Sequence, residues 1–119
     1  MTGARGDGAA MPAGLTIDID ETPGRPGWAV VTLAGGFASA VAARVLGATL
    51  SDLLGHGIDT ITVEAGPCAA LSPEVCLVLV DVARHVHLVG GCLVVAGLRA
   101  QDRVVIRNYD VDHRLDLAR

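Results

Sequence analysis

Lysine is missing altogether from this 119-residue chain; all nine basic residues are arginine, and they are scattered rather than clustered. Without a basic patch there is no counterion release to drive binding to nucleic acid, so direct recognition of DNA or RNA is not expected. Aromatics are nearly absent too. Trp28, Phe37 and Tyr109 are the full set, so the core has to be built from Val, Leu, Ile and Ala. No apolar run approaches the roughly 18 residues that a membrane-spanning helix needs. The longest candidate, Val75 to Val80, stops at Asp81. No apolar segment of the secretory kind follows the first Met, which leads to the expectation of a cytoplasmic protein without membrane insertion. Cys68, Cys76 and Cys92 are odd in number and form no Cys-x-x-Cys pair, which disfavours a disulfide framework and leaves them as small buried hydrophobes. A Gly-x-Ser-x-Gly elbow and a Walker loop are both lacking, and no His-Asp pair has an evident link to Cys68. No enzyme and no cofactor are expected.

What is present is the composition of one domain, 51% hydrophobic and long enough for a single modest core. Residues 1–14 are Gly/Ala-rich and aperiodic, and read as a disordered leader; the folded domain is expected over 15–119. Leu15 to Asp20 alternates apolar and polar as a half-buried strand does. A turn with two Pro and two Gly leads to a second strand, Trp28 to Leu33, so the pair should form an antiparallel hairpin. Ala34-Gly35-Gly36 reads as a break before the first helix, about Ser39 to Leu54, whose apolar stripe is Val41, Val45, Ala48 and Leu53. Gly55-His56-Gly57 ends that helix. Thr60 to Val63 is a third strand, and a helix over 73–88 is closed by Gly90-Gly91. Cys92 to Ala96 is a fourth strand, apolar enough to be central. Ala100 to about Tyr109 is a third helix, with Val104, Val105 and Asn108 facing the sheet, and Val111 to Leu117 closes the chain as a turn, edge strand or helical turn. The order β-β-α-β-α-β-α implies an α/β fold: one mixed sheet of four to five strands, with three to four helices on one or both faces.

The stretch from Thr62 to Val80 is the most telling. An apolar strand runs into a loop, and the loop ends in a Ser72-Pro73-Glu74 helix start. Such a point displays backbone N–H groups and a few side chains, as regulatory and docking sites do. This pattern resembles the STAS domain, the fold of anti-sigma factor antagonists. Leu33-Ala34-Gly35-Gly36-Phe37-Ala38 stands where that family has Leu-Ser-Gly-Glu-Leu-Asp. Glu64 to Cys76 aligns without a gap on Asp-Leu-Ser-Gly-Val-x-Phe-x-Asp-Ser-Ser-Gly-Leu. Gly90-Gly91-Cys92-Leu93-Val94-Val95 matches the family's Gly-Gly-x-Leu-x-Leu, and Tyr109 to Leu115 its end. The resemblance covers about residues 15–117 and rests on spacing and apolar pattern more than on identical residues.

The resemblance implies a binding module that docks on an anti-sigma factor or switch-type serine kinase of the ATPase fold. In the family that kinase phosphorylates the second Ser of Asp-Ser-Ser-Gly, and phosphate breaks the complex. Position by position, that Ser falls on Glu74, the motif's Asp on Ser72, and the Asp before the first helix on Ala38. The usual phosphoacceptor is absent, and docking unswitched by phosphate there is expected. The implied contact residues are Gly36, Phe37, Ala38, Ser39, Leu71, Ser72, Pro73, Glu74 and Val75.

Each of these also has a plain structural role. Ser72 suits a helix N-cap, Pro73 the first helical position, and Glu74 the helix dipole. Ser72 would be a displaced phosphoacceptor only if the alignment slipped by two residues. Glu74 supplies fixed negative charge at the phosphosite position, less than the roughly −1.5 to −2 of a phosphoserine. His85 and His87, two apart on a helix, point to different sides, so no metal site is expected even with Cys76 and Cys92 near in sequence. The alternative to a sigma-factor regulator is a non-catalytic STAS subunit of a lipid transporter or signalling assembly. An unpaired edge strand would permit homodimers or hetero-oligomers there. A small apolar ligand beneath the helices is a third reading.

Overall fold

The computed structural model describes residues 15–21, 24–37, 40–110 and 114–117. Strands β1 (Leu15–Glu21) and β2 (Trp28–Phe37) form the expected antiparallel hairpin, Ile17 lying opposite Leu33 and Asp20 opposite Val30. Helix α1 (Ala40–Gly55), β3 (Thr60–Glu64), the short β4 (Cys68–Leu71), α2 (Pro73–Leu88), β5 (Cys92–Ala96), α3 (Ala100–Tyr109) and β6 (Leu115–Leu117) follow. The main sheet runs β1-β2-β3-β5-β6, parallel from β2 onward, and β4 attaches to the far end of β2. A mixed sheet of five strands with three helices is the expected architecture. The sixth strand, β4, was not expected.

Register explains where the core lies. Ala29, Ile61, Leu93 and Leu115 form one lateral row, and Val31, Val63, Val95 and Leu117 the next. All but Leu117 are buried, as successive strand residues on one side of a pleat should be. The same core takes Leu46 and Leu50 from α1, Val75, Leu79 and Val86 from α2, and Ile106 from α3. Helix α2 packs against both α1 and α3, so the three helices form a single layer on one face of the sheet. The alternate residues, among them Val30, Thr32, Thr62, Glu64 and Val94, look the other way and are half-buried.

Three local expectations are corrected. Ala34-Gly35-Gly36 does not break the strand: β2 runs on to Phe37 through an irregular register, with Gly35 at φ +88°, which its missing Cβ permits. The buried stripe of α1 is Ala42, Ala43, Leu46, Leu50 and Leu53, while Val41 is 45% exposed and Ala48 exposed. Leu53 is buried and Val45 packs against the core as expected, but in a helix so rich in Ala, Val and Leu periodicity alone misplaced Val41 and Ala48. In α3, Asp102 and Ile106 face inward, and Val104 and Asn108 are exposed.

Candidate functional site

The start of α2 is built by its own sequence. Ser72 has extended backbone (φ −75°, ψ 160°), and its Oγ accepts a hydrogen bond from the Val75 N–H at 3.2 Å. Its carbonyl accepts from the Cys76 N–H at 3.1 Å, the first turn of the helix. Ser72 is only 7% exposed, so the hydroxyl is both buried and engaged. Pro73 occupies the first turn, where a missing N–H costs nothing. Glu74 is exposed in that same turn, where the dipole favours negative charge. Val75 and Leu71 are buried and anchor the two sides of the cap.

The segment expected to be a loop, Pro67–Leu71, is β4 from Cys68 onward. Cys68 pairs with Gly35, and Leu71 with Phe37. That pairing brings Gly36 and Phe37 beside Leu71 and the helix start. Ala38 and Ser39 lie outside the described residues. Behind this junction the loops pass closely: Gly97 has φ +80°, and a Cβ there would stand 2.6 Å from the Gly66 nitrogen. Only glycine fits that crossing.

Glu74 opens onto a groove between α1 and α2 of about 700 Å³, lined by Ala40, Ala43, Arg44, Gly47, Ala48, Leu77 and Val78 as well. Gly47 faces Val78 across this groove, and an added Cβ would meet the Val78 side chain at 3.5 Å, an ordinary van der Waals contact. Leu77 is 47% exposed, one turn along α2 from Glu74. The lining is almost wholly apolar, with Glu74 and Arg44 as its charged members. Sequence reading missed the α1 wall. Its signal was there in Ala48, which was assigned to the core and is exposed on the groove.

The remaining candidates stand apart from this place. Burial, and secondarily the negative charge of Asp102, push the Cys76 thiol up to about 11, so it stays protonated and unreactive at neutral pH. Cys92 is exposed at the start of β5. The His85 ring bonds the Asp81 carbonyl at 2.9 Å, and the His56 ring bonds the Asp52 carbonyl at 2.7 Å. That bond and the Asp52 carboxylate raise the His56 pKa above its usual value. Among the described residues, no three His, Cys, Asp or Glu side chains are placed to hold a metal ion. No described helix is long and apolar enough to cross a membrane.

No protein-family model matches the sequence, and no curated protein is significantly similar to it. Solved structures do match. The anti-sigma factor antagonist SpoIIAA in its unphosphorylated form superposes with a TM-score of 0.71 at 12% identity, over 87% of this chain and 88% of its own. The phosphorylated form of SpoIIAA, the Bacillus cell fate determinant, gives 0.67 at 12% identity over 87% and 92%. RsbS of Moorella thermoacetica, in a serine-to-glutamate variant, gives 0.66 at 15% identity over 86% and 85%. At such identities the likeness is one of architecture: this chain has the STAS fold, the fold of the anti-sigma factor antagonists.

Proposed function

We propose that this chain is a non-catalytic, cytoplasmic protein-binding regulator of the anti-sigma factor antagonist kind. Its partner is an anti-sigma factor or switch-type serine kinase of the ATPase fold, docked over the start of α2 and the α1–α2 groove. The observation that carries this reading is Glu74, an exposed carboxylate at the mouth of an apolar groove. It stands where the resemblance puts the regulatory serine. Association would bury Leu77, Val78 and Ala48, while Glu74 meets a donor or cation on the partner. The charge is permanent, so the complex is not switched by phosphate at this position. Ser72 is a poor substitute acceptor, because its Oγ is buried and already caps the helix.

The test is a pull-down on the full chain from native lysate, with and without ATP, read by mass spectrometry. An ATPase-fold partner should be recovered equally in both conditions and lost with Leu77→Asp. Glu74→Ser should restore ATP sensitivity. Recovery unaffected by Leu77→Asp, or phosphate found on Ser72, would sink the proposal. Capture of a transporter ATPase would favour the reading as a transporter subunit.

A further inference from the structure

The face of the sheet away from the helices is the least explained surface of the molecule. Its strands from β2 to β6 are parallel, and parallel sheets are ordinarily covered on both faces. Here α1, α2 and α3 all lie on the same side. Register lays out what is left open. One lateral row reads Asp20, Val30, Thr62, Val94, Asp116, and the next reads Asp18, Thr32, Glu64, Ala96. The centre is small and β-branched except for the half-buried Glu64 on β3. Both edges are acidic: Asp18 and Asp20 on β1 and Asp116 on β6 are exposed. No described strand position on this face carries an arginine. Arg25, in the turn next to it, is stacked over the Trp28 ring at 4.6 Å.

Size and charge together select an occupant. Five strands at about 4.8 Å spacing put β1 and β6 roughly 19 Å apart. A helix of about 10 Å diameter laid along the strands covers β2, β3 and β5, and leaves β1 and β6 about 5 Å beyond its flanks, within reach of long side chains. Its apolar stripe would meet Val30, Thr62, Val94 and Ala96, a cation at one end of the stripe would meet Glu64, and cationic side chains on either flank would reach Asp18 and Asp20 on one side and Asp116 on the other. A second copy of this chain fits badly, because two such faces would oppose four carboxylates from each. We infer that the open sheet face docks an amphipathic helix of a partner protein, with Arg or Lys flanking a narrow apolar stripe. This surface is opposite the α1–α2 groove and independent of it, so one chain could hold two partners at once.

The test uses the full chain and a synthetic helical peptide of about 18 residues, Leu and Ala on one stripe with Arg along both flanks. Binding is followed by calorimetry and mapped by amide chemical shifts. Expected are shifts at Val30, Thr62 and Val94, and affinity about tenfold weaker in the Asp20→Asn, Asp116→Asn double variant. Asp81→Asn on the helix layer, which also removes a charge, should leave the affinity unchanged. A peptide with Glu in place of Arg should not bind. The inference is overturned by shifts mapping to Leu77 and Val78 or to no defined face. Equal weakening by Asp81→Asn overturns it as non-specific charge attraction. Binding that emerges only after removal of residues 1–14 overturns it too, since the chain's own leader would then be the occupant. Failure here leaves the Leu77→Asp result untouched, and the reverse also holds.

Discussion

At the scale of single residues, the start of α2 is set by the chemistry of its own cap. Ser72 and Pro73 were readable from type and order alone, because capping chemistry is local and depends on little beyond the next three residues. The Ser72 bond to the Val75 N–H has a measurable worth. Ser72→Ala should cost about 1 kcal/mol, lowering the melting temperature by roughly 4–8 °C in a domain of this size. An unchanged melting temperature would mean that the cap is not formed. Cys76 makes a second test. Its thiol is held up near 11 by burial, against an ordinary value of 9.0. The folded state thus keeps the proton more tightly than the unfolded one, and stability should fall as pH rises from about 9 through 11. At pH 8 Cys92 should alkylate readily, and Cys76 only once the chain is unfolded in urea; equal rates in the native protein would contradict its burial.

At the scale of elements, boundaries were more legible than faces. Helix α2 begins and ends where Ser72-Pro73 and Gly90-Gly91 place it, because breakers and caps act over a few residues. The β4 strand gave no such signal. Its four residues, Cys68-Ala69-Ala70-Leu71, neither alternate nor carry β-branched side chains, and only pairing with the end of β2 makes them a strand. Strand β6 depends similarly on something distant. The buried Asp110 carboxylate accepts from the Arg114 N–H at 2.9 Å and the Leu115 N–H at 3.0 Å, tying the last strand to the end of α3. Asp110→Ala should cost about 1–3 kcal/mol. Hydrogen exchange should show Leu115 and Leu117 losing protection while β3 and β5 keep theirs. Uniform loss across the sheet would indicate global rather than local loosening.

At the scale of the whole molecule, the two faces of the sheet are treated unequally, one covered by helices and the other not. One face and three helices form the core, and the surface of the helix layer supplies the groove. Leu77 is exposed there, so Leu77→Asp should shift stability by no more than about 0.5 kcal/mol while abolishing docking. Leu79, two residues on and fully buried, gives the contrast. Leu79→Ala should cost about 2–5 kcal/mol, measured by urea denaturation. If both variants unfold alike, Leu77 belongs to the core and the groove is not a free surface.

By itself the sequence determined the order of the elements apart from β4 and β6, the aliphatic core, the capped start of α2 and the placing of a carboxylate at Glu74. Each of these depends on residue type and near neighbours. Only the tertiary structure decided which face of α1 is buried. Val41 and Ala48 are apolar like Ala42, Leu46 and Leu50, and the choice was made by the packing of α1 against α2 and β2, which leaves Val41 and Ala48 exposed. The groove beside Glu74 is a consequence of that choice. It is made by two helices some thirty residues apart in the chain, whose facing sides no local pattern records.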